Sequence, residues 1–394
     1  MIMTYPSIIA GTDKPLSSIY QLALLDLDGV VYRGADPVEM AATGIAHAKE
    51  RGMRIAYTTN NPSRFPSLVA DQIRSFGVEL SPDDIITSGI VAAGMLSKEL
   101  KPGDTVLVIG GDHLRDELKK RGLQVCDLAS DRPQAVIQSW YPDVSWRQLA
   151  QATYAIAHGA RYFATNRDMT LPREGGITPG NGAMILPVVA ATGVEPEASA
   201  GKPEAYMYDI ARDMFGHNGN RLPVEACLPV GDRLDTDIEA ANRGGYASAV
   251  VMTGVAGPDD IMRAVPQLRP AYICANLEGL NKAQPRVEVS SEPFESSSHD
   301  EQGTGDTLRR FTCGAASAYR RSVSSTRVHL EIKGREVQSA CGSLDALRAA
   351  ASAAWDAVDR DGIQAQDLNL PVFSSDLSDC GATETSVSDQ EKKS

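Results

Sequence analysis

The chain has 394 residues, more than one ordinary domain needs, and a length prior gives two or three. Its 42% hydrophobic content is enough for a sizeable core and excludes wholesale disorder; with no apolar run near about 18 residues, no membrane span is expected. Acidic residues outnumber basic ones by 51 to 38, a net charge of −13, which argues against nucleic acid as the main partner.

Much of that acidity is local. Residues 290–306 (SSEPFESSSHDEQGTGD) carry five acids and no Lys or Arg, and residues 374–394 carry five acids against two lysines, leaving about −5 for the rest. The N-terminal MIMTYPSIIAGTDKPLSSIY has no basic start followed by a long apolar stretch, so no signal peptide is expected. Six cysteines, at 126, 227, 274, 313, 341 and 380, form no C-x-x-C pair and flank no histidine at ligand spacing. They read as reduced and mostly buried, which places the chain in the cytoplasm.

In chain order, apolar runs at Leu22–Leu27, Met53–Tyr57, Thr105–Ile109, Ala135–Ile137, Ala226–Val230 and Ala247–Met252 read as strands. Helical patterns lie among them at Val38–Arg51, Phe65–Phe76, Ile90–Leu100, Glu204–Phe215 and Asp235–Arg243. This alternation predicts an α/β fold, a doubly wound parallel sheet covered by helices on both faces. Ligands of such sheets bind beyond the carboxyl ends of the strands, so functional residues are sought just after the apolar runs. Past the Ser-rich, acidic 290–306, residues 307–372 recover a β-like run at Val328–Ile332 and an Ala-rich helix at Leu344–Val358. The last twenty or so residues read as disordered.

Four polar clusters follow strand ends. Asp26-Leu27-Asp28-Gly29 follows LALL; residues two apart on a strand face the same way, so two carboxylates meet at one spot and repel unless a cation or proton lies between them. A plain Asp-Gly turn reads equally well there. Thr58-Thr59-Asn60-Asn61 ends MRIAY and offers donors to phosphate oxygens, although Asn-Asn-Pro is also good turn chemistry. Gly201-Lys202-Pro203 precedes a helix, where a lysine adds positive charge to a positive dipole, a placement that favours an anion but also occurs as a solvated surface lysine. Gly231-Asp232-Arg233-Leu234-Asp235-Thr236-Asp237 follows ACLPV with more carboxylates than a helix cap requires; Asp235 reads as the cap, leaving Asp232 and Asp237 for a hard cation and its surroundings.

Together, in this order, D-x-D-G, T-N, G-K-P and G-D-x-x-x-T-D resemble the haloacid dehalogenase-like phosphatase superfamily, and more narrowly its NagD / p-nitrophenyl-phosphatase-type branch, over about residues 20–280. The resemblance implies a Rossmann-like core with an α/β cap inserted between the second and third motifs. It implies Asp26 as the nucleophile that forms an aspartyl-phosphate and Asp28 as the acid and then the base. Thr59, Asn60 and Lys202 would bind phosphate. Mg²⁺ would be held by Asp26, Asp232 and the backbone carbonyl of Asp28, with Asp237 holding the metal's water or orienting Lys202.

About 140 residues separate Asn61 from Lys202, which leaves room for that cap. The expected organisation is a core in two parts, 1–83 and 179–282, a cap over 84–178, a linker over 283–306, a small C-terminal α+β domain over 307–372 and a disordered tail over 373–394. Ala164-Thr165-Asn166-Arg167-Asp168 and Pro179-Gly180-Asn181-Gly182 also resemble the branch where cap meets core. Arg167, Asp168 and Arg64 are therefore candidate pocket residues. A roofed site favours a small phosphorylated metabolite: glycerol 3-phosphate or 2-phosphoglycolate first, with nucleoside monophosphates, pyridoxal phosphate and sugar phosphates as alternatives. Phosphotransfer on the same core is a further reading, and the branch's habits suggest a homodimer.

Overall fold

The structure, a computed structural model, describes residues 5–173, 175–216, 220–293, 307–320 and 325–378. Its centre is a six-stranded parallel sheet in the order Tyr272–Cys274, Ala249–Val251, Cys227–Gly231, Leu22–Leu25, Arg54–Thr59, Ile85–Thr87. The nucleophile-bearing strand Leu22–Leu25 is buried at every residue, as a central strand covered on both faces requires. One face packs on Ile45, Val69 and Ile73 of the helices Ala41–Glu50 and Pro66–Ser75, and the other on Met207 and Ala211 of Tyr206–Met214.

The cap is a second parallel sheet, in the order Ala198–Ser199, Arg161–Ala164, Ala135–Gln138, Thr105–Ile109, Gln124–Cys126. Its extent differs from the expected 84–178 at both ends. Ile85–Thr87 pairs with Tyr57–Thr59 and so belongs to the core sheet. At the other end Ala198–Ser199 pairs with Phe163–Ala164, and the helix Asn181–Thr192 buries Ile185 and Val188 against Leu149 and Ala152 of the cap helix Trp146–Ala157. Both short strands lie at sheet edges, where their placement is decided by a partner and not by their own apolar pattern.

The expected linker is also partly a strand. Glu288–Pro293 pairs antiparallel with Thr307–Cys313 and opens a five-stranded sheet continued by Ala316–Arg320, His329–Ile332 and Arg335–Glu336. Its acidic and Ser-rich run satisfies one solvated edge; residues 294–306 lie outside the described residues. Phe373–Ser378, expected as tail, pairs with Cys341–Ser343, and the remainder, 379–394, lies outside the described residues. Between this sheet and the core runs the helix Leu344–Asp361, whose small face lets backbones approach closely. Cys227, Cys274, Cys313 and Cys341 are buried and no disulfide joins them or Cys126 among the described residues, whereas Cys380 lies outside the described residues. Among the described residues no helix is long and apolar enough to cross a membrane.

Candidate active site

The carboxyl ends of the core strands open into a cleft of about 730 Å³ roofed by the cap. Asp26, Asp28, Thr59, Asn60, Arg64, Asp168, Lys202, Asp232 and Asp237 all line it. After Leu25 the chain keeps its alternation for three residues: Leu27 is buried while Asp26 and Asp28 face the cleft. It then turns at Gly29, whose φ of 78° favours glycine and whose missing Cβ makes room for the Asp232 carboxylate. A Cβ on Gly254 would collide with the same carboxylate.

Lys202 is 1% exposed, and its ammonium lies between two carboxylates, 2.6 Å from Asp26 Oδ1 and 2.7 Å from Asp237 Oδ1. It also donates to the Thr58 carbonyl at 3.3 Å. Burial works against its charge, but Asp237 and Asp26 outweigh that and hold the ammonium well above the usual lysine range. Burial raises the Asp26 carboxyl, with Lys202 opposing and Asp237 and Asp232 adding to the rise. Asp232 is pushed up to about 7, first by burial and then by Asp237. One ammonium among three clustered carboxylates leaves negative charge uncompensated.

That surplus has an address. Asp26, Asp232 and Asp237 each offer an oxygen within 4.8 Å of the others. Asp237 is already committed, Oδ1 to Lys202 and Oδ2 to the Arg233 amide at 3.1 Å, so it orients the lysine. Asp232 Oδ2 accepts the Val255 amide at 2.8 Å, and among the described residues neither Asp232 Oδ1 nor Asp26 Oδ2 receives a protein donor. Two unpartnered carboxylate oxygens in a buried, acidic niche fit a hard divalent cation. The Asp28 carboxylate is not part of this cluster.

Thr59 Oγ1 accepts the Asn61 amide at 3.1 Å, and its hydroxyl hydrogen is left for a ligand in the cleft. Asn60, by contrast, is not placed to bind phosphate through its side chain. Its Oδ1 accepts the Lys202 amide at 2.8 Å, and its Nδ2 donates to the Lys202 carbonyl at 3.0 Å and to both Asp168 oxygens at 3.1 Å. The Asn60 carbonyl in turn accepts Ser88 Oγ and Asn166 Nδ2, and Asn181 Nδ2 donates to the Asn166 carbonyl. Asn166 thus ties cap to core while Asn181 holds the Asn166 carbonyl in place, roles their motifs do not reveal.

Arg64 faces the cleft, bonded to Gln72 Oε1 at 2.6 Å and the Leu68 carbonyl at 3.3 Å. Arg167 does not; it turns to the Pro196 carbonyl at 2.7 Å and to Glu195, lining a neighbouring cavity of about 650 Å³. Asp235 does not cap the following turn but pairs with Arg233 at 2.7 Å. Asp168 stands in the cleft wall, and its removal from water pushes it up to about 6 against the pull of Asn60 and Arg233. Trp140, Leu171, Tyr32 and Val255, absent from the sequence reading, supply apolar lining.

Family models described as haloacid dehalogenase-like hydrolase and HAD-hydrolase-like match residues 23–124, the first part of the core and the start of the cap, and 199–280, the second part of the core. The chain is 38% identical to a D-glycerol 3-phosphate phosphatase of Mycobacterium tuberculosis over 71% of its own length and 76% of that protein's. The chain belongs to the haloacid dehalogenase-like hydrolase family. It is 32% identical to an acid sugar phosphatase of Staphylococcus epidermidis over 64% of this chain and 93% of the relative. Among solved structures, the glycerol phosphate phosphatase of M. tuberculosis in complex with magnesium superposes with a TM-score of 0.69 and 33% identity, covering 87% of this chain and 92% of that one. The p-nitrophenyl phosphatase of Archaeoglobus fulgidus gives 0.60 and 29%, covering 66% and 98%. This chain stands among the phosphatases of its family, with Mg²⁺ as the cation its carboxylates suit.

Proposed function

We propose that this chain hydrolyses a small phosphate monoester, glycerol 3-phosphate before 2-phosphoglycolate, through an aspartyl-phosphate on Asp26. The observation that carries the reading is the Lys202 ammonium set between Asp26 and Asp237 beside the unpartnered oxygens of Asp26 and Asp232. The relative at 38% identity, a glycerol 3-phosphate phosphatase, supports the choice of ester. Free thiols support a reducing compartment, the cytoplasm.

The chemistry follows from the residues. The Asp26 carboxylate attacks phosphorus, the ester P–O bond breaks, and Asp28 as a carboxylic acid gives its proton to the departing alkoxide oxygen. Water then attacks the phosphorus of the aspartyl-phosphate while Asp28, now a carboxylate, takes the water's proton. The P–O bond to Asp26 breaks, which regenerates the nucleophile and frees phosphate. Lys202 and the Thr59 hydroxyl hold phosphoryl oxygens, and Asp237 keeps the ammonium charged and aimed. Asp26, Asp232 and the Asp28 carbonyl would hold Mg²⁺, which would supply neutralisation of charge on the phosphoryl oxygens. Phosphate release from a panel of esters, with Mg²⁺ and with EDTA, tests this. Release lost with EDTA and lowered at least about a thousandfold in Asp26→Asn is expected; full activity in that variant would refute the intermediate.

A further inference from the structure

The Asp168 carboxylate is underused by the protein around it. A carboxylate has roughly four acceptor positions. Among the described residues the two Asp168 oxygens share a single donor, the Asn60 amide nitrogen at 3.1 Å from each, and no cation stands within ion-pair distance. Asp168 comes from the cap loop that follows Arg161–Ala164, and it lines the cleft that holds Asp26 and Asp28. Asp26 and Asp168 line one cleft, so those remaining lone pairs border the space open to the leaving group of an ester bound at Asp26.

The cations of the same wall are otherwise engaged. Arg233 is paired with Asp235, Arg33 donates through Nε to the Thr253 carbonyl at 2.8 Å, and Arg64 is bonded to Gln72 and the Leu68 carbonyl. Of these, Arg33 and Arg64 both have neutral partners and line the cleft, so they are the rival readers of the leaving group. We propose that Asp168 selects the ester: its carboxylate accepts hydrogen bonds from the hydroxyls of a neutral polyol phosphate and disfavours esters whose leaving group carries a second negative charge. This rests on the phosphatase reading above and narrows it, placing glycerol 3-phosphate ahead of 2-phosphoglycolate.

The test is kcat/KM of the full chain with Mg²⁺ for glycerol 3-phosphate, 2-phosphoglycolate and p-nitrophenyl phosphate, in wild type, Asp168→Asn, Arg33→Gln and Arg64→Gln. The ratio between the first two esters on one preparation cancels any general loss, and Asn at 168 still offers an oxygen to the Asn60 amide. Wild type is expected to favour glycerol 3-phosphate at least about tenfold, and Asp168→Asn to lower that ratio at least about tenfold, since a like-charge clash is relieved. An unchanged ratio in Asp168→Asn overturns the proposal. So does a wild-type preference for 2-phosphoglycolate that Arg33→Gln or Arg64→Gln removes. Release from p-nitrophenyl phosphate alone overturns the selection while leaving the phosphatase reading intact; release from no ester overturns both.

Discussion

Asp232 carries the clearest electrostatic signature of any single residue. Burial and the neighbouring Asp237 move its carboxyl from an ordinary 3.8 to about 7. The folded chain therefore binds more protons than the unfolded one between about pH 4 and 7, and in that window stability without metal falls as pH rises. A cation bound at Asp232 and Asp26 removes the penalty. We expect the rise in Tm on adding Mg²⁺ to be larger at pH 8 than at pH 6, read by thermal unfolding at fixed ionic strength; an equal rise at both would show that Asp232 is not the residue being neutralised. The pairing of Asp26 with Asp28, and the carboxylates of 232–237, were legible because strand alternation and glycine turns leave few ways to point those side chains. Asn60 was misread as a phosphate donor for the opposite reason. An amide has two ends and no charge, and nothing in Thr-Asn-Asn says which neighbours it will face.

At the scale of elements, the Asn60 amide is a strut between three segments: the end of Arg54–Thr59, the segment carrying Lys202 and the cap loop carrying Asp168. A Cβ at Gly201 would collide with Asn60 Oδ1, so the lysine segment lies directly on the amide. Asn60→Ala removes the strut, and with it the donor shared by the two Asp168 oxygens. Misplacing a catalytic group by about 1 Å costs on the order of a hundredfold, so kcat is expected to fall roughly ten- to a hundredfold while KM changes less. Steady-state kinetics decides it: kcat within twofold of wild type would mean that Lys202 needs no such support. The ordering of strand ends made this neighbourhood legible, because each motif follows an apolar run of one sheet. The limits of the cap were not, because Ile85–Thr87 and Ala198–Ser199 are three and two residues long and are assigned by their partners.

The C-terminal segment, expected as a small α+β domain over 307–372, is part of the core's packing. Trp355 is fully buried in one cluster with Leu234, Ile238, Val250, Ala256, Ile261 and Met262, and its Nε1 donates to the Ile261 carbonyl at 2.9 Å. Arg269 stacks on Trp355 and pairs with Asp359 at 2.6 Å, and Arg348 donates to the Ile273 carbonyl at 2.6 Å. The Ala-rich face of Leu344–Asp361 looked weak in isolation because its large apolar partners lie a hundred residues earlier, on the flank of the core sheet. This flank also bears on catalysis, since Ala256 of the same cluster donates its amide to the Asp232 carbonyl at 2.9 Å. Trp355→Ala leaves a large cavity and an unpaired carbonyl, a loss of about 3–5 kcal/mol. If core and C-terminal segment are one cooperative unit, phosphatase activity and far-UV circular dichroism should be lost together in a single denaturant transition, shifted to lower midpoint in the variant at unchanged slope. Two separated transitions, with activity surviving the first, would instead make the C-terminal segment an independent module and its contact with the core dispensable.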